Sequence, residues 1–164
     1  VQHIYNKLKQ MEFEGYHFED AEDSFNLMVR KQLGQYTSFY EVLDFQVFSQ
    51  RPEDVTCSLA TIKVRVGNQV ELTAAEGDGP VNALDCALRR ALSIFYPQVN
   101  KLKLVDFKVR VVDDGGAASR VRVYMRSSDG EHTYGTVGVS PNILQAAWTA
   151  LVDSIDAYLL EVQA

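Results

Sequence analysis

The chain has 164 residues, 46% hydrophobic and 23% charged, with a formal net charge of -6. This suits one globular domain, or one domain plus a short extra element, with apolar material enough for a core without disulfides or metals. The acidic balance argues against nucleic acid or an anionic membrane as a partner, and no run of about 18 apolar residues predicts a transmembrane helix.

No signal peptide is visible, and Cys57 and Cys86 are too few for a disulfide framework, so a reduced, cytoplasmic setting is expected. The chain opens on Val1 with Ile4, Leu8 and Met11 already at helical spacing, which reads as a fragment of something longer. Gly15 ends this first helix. A second is predicted from about Asp20 to Leu33, with Glu19, Asp20, Glu22 and Asp23 crowding its first turn and Gly34 closing it.

From residue 37 the apolar period becomes two. Phe39, Leu43, Phe45 and Val47 share one face of a strand; Ala60, Ile62, Val64 and Val66 share a face of the next, with Lys63 and Arg65 pointing away. Gly67-Asn68 reads as a hairpin turn, and residues 70–75 as a third strand. After Gly77-Asp78-Gly79-Pro80 a helix is predicted over about Val81 to Tyr96, its core face carrying Leu84, Ala87, Leu88, Ala91, Leu92 and Phe95. The second half runs the same way. Val105, Phe107, Val109 and Val111 alternate; Gly115-Gly116 turns; Val121, Val123 and Met125 follow; Asp129-Gly130 turns; Thr133 to Val137 form a strand. Ser140-Pro141 reads as a helix start, Ser capping and Pro in the first position, before a helix bearing Leu144, Ala147, Trp148, Leu151, Ile155, Tyr158 and Leu159.

The sequence thus holds two copies of strand–strand–strand–helix. An offset of 60 superposes Asn82, Leu84 and Ala87 on Asn142, Leu144 and Ala147, whereas an offset of 62 brings Asp44-Phe45 onto Asp106-Phe107. The expected fold is α+β: two pseudo-symmetric βββα units with antiparallel three-stranded sheets, at about 37–97 and 100–162, forming a domain over 37–164 behind a two-helix linker over 1–36.

Gly-Asp-Gly-Pro-Val-Asn-Ala-Leu (77–84) before an apolar helix resembles the first effector loop of the 2-isopropylmalate synthase and citramalate synthase family. Gly138-Val139-Ser140-Pro141-Asn142-Ile143 resembles the matching segment of that family's second unit, with Ala117 to Val121 and Ser127 to Gly130 fitting between. Upstream, Glu14 to Phe25 resembles the linker of the citramalate branch. The resemblance spans essentially the whole chain and implies a C-terminal regulatory domain that dimerises and binds an end-product amino acid. Isoleucine is favoured for the citramalate branch and leucine for isopropylmalate synthases; a dimerisation module without effector is the further alternative. It also implies an N-terminal TIM-barrel catalytic domain in the same chain, where a divalent metal would serve the condensation of acetyl-CoA with a 2-oxo acid. No cofactor is expected in this fragment: the barrel's His-x-His is missing, and His3, His17 and His132 show no ligand spacing.

Carried over residue by residue, the resemblance places the effector on Gly77, Asp78, Gly79, Pro80, Val81, Asn82 and Ala83, on Leu104, Asp106 and Phe107, on Ala117 and Ser119, and on Pro141. A helix N-terminus offers free N–H groups to a carboxylate, glycines admit a ligand close to the backbone, and Asp78 or Glu76 can face an ammonium. The same loop also suits an ordinary tight turn feeding a Pro-started helix, and Leu104 to Phe107 also suit plain strand core. Asp44 and Asp106 occupy duplicated positions, which argues against catalysis by the pair. Cys86 reads as inert packing, Trp148 and Tyr158 as core anchors, and Arg89-Arg90 as a solvated or dimer-facing patch.

Overall fold

The computed structural model describes residues 1–50, 57–112 and 119–163. Its elements run α1 (Gln2–Phe13), α2 (Glu22–Gln32), β1 (Glu41–Gln50), β2 (Cys57–Val66), β3 (Gln69–Gly77), α3 (Pro80–Leu92), β4 (Lys103–Val112), β5 (Arg120–Ser128), β6 (Thr133–Ser140) and α4 (Ile143–Val162). The strands form two antiparallel three-stranded sheets, β1-β2-β3 and β4-β5-β6. This is the α+β pair of βββα units expected, with two helices ahead of them. Two compact units result: Ser38–Asn100, and Lys101–Ala164 together with Val1–Thr37.

In the Ser38–Asn100 unit, α3 rests on β2 and β3 and barely reaches β1. Ala60, Ile62 and Val64 meet Ala83, Leu84, Ala87, Leu88 and Leu92 in its core. Gly67, at φ 58°, makes the two-residue turn between Val66 and Gln69. A bulge between Val42 and Asp44 changes the predicted face of β1. Val42, opposite Val64, turns inward with Phe45 and Val47, and Leu43 becomes the extra residue. Phe39 precedes the strand and packs edge-on against Tyr96, whose hydroxyl donates to the Phe39 carbonyl at 2.8 Å. Helix α3 stops at Leu92, so Phe95 lies past its end and is half-buried rather than on its core face.

In the other unit, α4 covers β6 and β5. A bulge between Leu104 and Asp106 repeats the one in β1, so the inward residues of β4 are Leu104, Phe107, Val109 and Val111, and Val105 is the extra one. The turn at Gly115-Gly116 lies outside the described residues. The Asp129-Gly130 turn is longer than a two-residue hairpin: Ser128 pairs with Thr133, and Asp129 Oδ1 accepts from the N–H groups of Glu131 and His132.

Helix α2 closes the outer edge of β6. The Gly135 N–H donates to Asp23 Oδ2 at 2.8 Å and the Val137 N–H to Ser24 Oγ at 3.0 Å, leaving no open ladder donor at these positions. The helix starts at Glu22 rather than Asp20, so Glu22 and Asp23 form its first turn while Glu19 and Asp20 precede it. The Asp20 backbone passes close to β6: a Cβ on Gly135 would lie 2.6 Å from the Asp20 carbonyl oxygen. The Ser24 hydroxyl in turn donates to Asp153 Oδ2 of α4 at 2.7 Å.

Burial pushes the Asp153 carboxyl up from 3.8 to about 6, against the opposing Ser24 hydrogen bond and Lys31, with Asp156 adding to the rise. A raised folded-state value means that the folded chain holds this proton more tightly. The stability linked to Asp153 is therefore complete below about pH 4 and is lost as pH rises through about 6, by up to about 3 kcal/mol. Asp153→Asn is expected to raise the melting temperature near neutral pH and to match the parent chain near pH 4, as read by thermal unfolding across pH.

Candidate functional site: two helix openings

The two helices start differently, although their sequences look alike. Helix α3 has Gly79 as its N-cap in extended backbone (φ -158°), Pro80 in the first turn and no side-chain cap. The N–H groups of Val81 and Asn82 thus have no acceptor within the helix. The Asn82 side chain reaches back to accept the Asp78 N–H at 3.3 Å, and the Ala83 N–H donates to the Gly79 carbonyl at 2.9 Å. This leaves a short arch, Gly77-Asp78-Gly79, with backbone donors at its helical end. Asp78, Pro80 and Asn82 are exposed, Gly77, Gly79 and Val81 half-buried, and Ala83 fully buried as a core residue.

Helix α4 opens at Ile143 with Asn142 as N-cap. The predicted Ser140 cap is corrected: Ser140 ends β6, and its hydroxyl accepts the Asn142 N–H at 3.1 Å. Pro141 lies before the cap and is exposed, not in the first turn. Asn142 Oδ1 accepts from the N–H groups of Leu144 at 2.9 Å and Gln145 at 3.4 Å. The donors at this opening are engaged by the chain's own side chain, and those of α3 are not.

The remaining expected residues fall as follows. Leu104 and Phe107 point to the helix side of their sheet, while Asp106, opposite Arg126, points to the other. There Asp106 pairs with Lys108 at 3.4 Å and borders a groove that includes Arg110, Arg122 and Tyr124. Ser119 is exposed; Ala117 lies outside the described residues. Asp44 and Asp106 are both exposed and each follows the bulge of its own unit. Cys86 is half-buried, and Trp148 and Tyr158 are core residues.

Of the Arg89-Arg90 pair, Arg90 is exposed as expected, whereas Arg89 is drawn into the fold. Arg89 Nε donates to the buried Asp85 at 2.7 Å and its Nη1 to the Val99 carbonyl, with only 12% of its side chain exposed. Arg90 Nη1 donates to the Ala74 carbonyl at 2.7 Å. Together they tie the last turns of α3 to strand and loop carbonyls. Sequence reading missed Asp153 and its Ser24 partner. The available signal was a run of polar residues, Asp153, Ser154 and Asp156, inside a helix otherwise apolar on that stretch.

Two βββα units, each with a proline-containing segment ahead of its helix, make a duplicated α+β domain. The chain belongs to the LeuA allosteric (dimerisation) domain family, whose profile matches residues 19–159. It is 51% identical to an (R)-citramalate synthase of Geobacter sulfurreducens over 93% of this chain and 30% of that protein. It is 41% identical to an (R)-citramalate synthase of Aquifex aeolicus over 93% of this chain and 29% of that one. A 2-isopropylmalate synthase of Ruminiclostridium cellulolyticum is 29% identical over 64% of this chain. The chain spans under a third of the length of these relatives.

The two glycines of the arch serve different needs. A Cβ on Gly77 would lie 2.5 Å from both the Ala83 nitrogen and Asn82 Oδ1, whereas one on Gly79 would meet nothing within 4 Å. Gly77→Ala is expected to destabilise the chain by about 1–3 kcal/mol, and Gly79→Ala to stay within about 0.5 kcal/mol of the parent, as measured by denaturant unfolding.

Proposed function

We propose that this chain is the effector-binding and dimerising regulatory domain of a citramalate synthase-like enzyme that condenses acetyl-CoA with a 2-oxo acid, and that the effector is isoleucine acting by feedback inhibition. The observation that carries the reading is the high identity to (R)-citramalate synthases over nearly the whole chain, against the shorter and weaker match to a 2-isopropylmalate synthase. The α3 opening supports the binding half of the proposal. Its uncapped N–H groups suit the effector's carboxylate, Asp78 suits its ammonium, and the absence of a side chain at Gly79 leaves the approach open. The capped α4 opening offers no such donors, so the carboxylate goes to Gly79–Asn82. Inhibition requires that isoleucine prefer one of two global states of the parent enzyme; tight binding alone shifts nothing.

Dimerisation has its own support, with or without an effector. The inward face of β4 is left uncovered by α4, with Phe107 37%, Val109 39% and Val111 69% exposed. An apolar edge of this kind needs a cover.

Calorimetry with isoleucine, leucine and valine is expected to show saturable binding, with isoleucine ahead of leucine by about 1–3 kcal/mol. Gly79→Val is expected to weaken that binding while leaving a folded dimer, and Val109→Asp to shift the sedimenting species to monomer. No heat from any of the three amino acids would leave dimerisation as the sole function; leucine as the strongest ligand would move the parent enzyme to the isopropylmalate branch.

A further inference from the structure

Between α1, the turn at Tyr16–Phe18, α2 and α4 lies a cavity of about 220 Å³ that the proposed function does not use. At about 30 Å³ per water it has room for roughly seven waters, or for a molecule of roughly seven to nine heavy atoms. Met11, Tyr16, Phe18, Leu27 and Met28 give it an apolar wall. Its charged groups are Lys7 from α1, Lys31 from α2 and Asp153 from α4.

Asp153 is the unusual member. Its side chain is only 16% exposed, and the cavity is what it faces. Oδ2 accepts the Ser24 hydroxyl at 2.7 Å, but the cation nearest to Oδ1 is Lys31 Nζ at 3.9 Å, too far for a hydrogen bond. That ammonium also stands 5.0 Å from the centre of the Tyr36 ring. The Tyr16 hydroxyl is engaged with the Val139 backbone, and Asp156 adds a second negative charge from α4. A largely desolvated carboxylate on the wall of a mostly apolar hollow suits a compact ammonium. The two lysines on the lining supply the complementary feature, a partner for a carboxylate beside that ammonium. Asp153 repels a phosphate group, and a nucleotide is too large for the volume.

We propose that this cavity is a binding site for a small α-amino acid with an apolar side chain, its ammonium on Asp153 Oδ1, its carboxylate toward Lys7 and Lys31, and its side chain against Met11, Phe18, Leu27 and Met28. The site is separate from the α3 opening, and the methionine methyls together with Gly79→Val, rather than total binding heat, tell the two apart.

The three methionines, Met11, Met28 and Met125, make the test direct: two line the cavity, and the third is buried in the β4-β5-β6 sheet and serves as a control. With the methionine methyls isotopically labelled, leucine added near neutral pH is expected to shift Met11 and Met28 saturably and to leave Met125 in place. 3-Methylbutylamine is expected to bind more weakly than leucine, and 4-methylpentanoate not to bind. Asp153→Asn is expected to weaken leucine at this site by about tenfold or more while raising the melting temperature. Met11→Trp, which fills the hollow from α1, is expected to abolish the Met28 shift. Gly79→Val is expected to leave them unchanged, which separates this site from the helix opening. Unresponsive Met11 and Met28 methyls, 4-methylpentanoate binding as well as leucine, or leucine affinity within about twofold of the parent in Asp153→Asn would each overturn the proposal.

Discussion

The width of one helix against three strands governs this structure. An α-helix with side chains is about 10–12 Å across, and three strands span about 14 Å. A single helix per sheet therefore covers two strands and leaves the third partly open. Helix α4 lies over β5 and β6, and helix α3 over β2 and β3. The first strand of each unit, β1 or β4, is the one left out, and on β4 the inward residues Phe107, Val109 and Val111 remain accessible. A unit built in this way leaves part of its apolar face open.

The duplication is real, but its register is not the one the residue identities suggest. The fixed point is a hydrogen bond from a strand hydroxyl to a helix carbonyl. Thr73 Oγ1 donates to the Ala87 carbonyl at 2.9 Å in one unit, and Thr136 Oγ1 to the Ala150 carbonyl at 2.8 Å in the other, each pair 63 positions apart. In this register Gly79 corresponds to Asn142 and Ala75 to Gly138, where a Cβ would run into the Ala146 carbonyl oxygen. The offset of 60 read from Asn82, Leu84 and Ala87 aligned similar letters at positions that do different work. Gly138 marks a close approach of strand and helix, and the threonine two residues before Ala75 and before Gly138 bonds the helix in each unit.

Much of the fold was legible because its signals are local. Among the described residues periodicity located the six strands and the four α-helices, though not the short 3-10 turn at Pro97–Lys101, and Gly15 and Gly67 occur where the backbone takes positive φ. What escaped was set by longer-range contacts. The bulges at Leu43 and Val105 depend on pairing with β2 and β5, so strict alternation put both residues on the wrong face. Ser140-Pro141 carries the letters of a helix start, yet β6 continues through Ser140 to pair with Val121, and the cap passes to Asn142. Arg89 reads as surface charge until its partner Asp85, one turn back on the buried side of α3, is known. At the candidate site the α3 arch was legible from its glycines and proline. The engaged state of the α4 opening was not, because it depends on which residue becomes the cap.

The helical segment ahead of the sheets is more than a tether. Asp23 and Ser24 supply the acceptors for two N–H groups at the β6 edge, so α2 acts as the sheet's missing neighbour on that side. Ser24 also passes its own proton to Asp153, giving a continuous path from the β6 backbone through a hydroxyl to a carboxylate on α4. If α2 leaves its place, the Gly135 and Val137 N–H groups lose their acceptors and Asp153 loses its donor together. Loss of buried partners is costly for each group, so the change is concerted rather than gradual. That a desolvated carboxylate is kept at the centre of this linkage, where an asparagine would satisfy Ser24 at lower cost, argues that the charge of Asp153 serves a purpose other than stability.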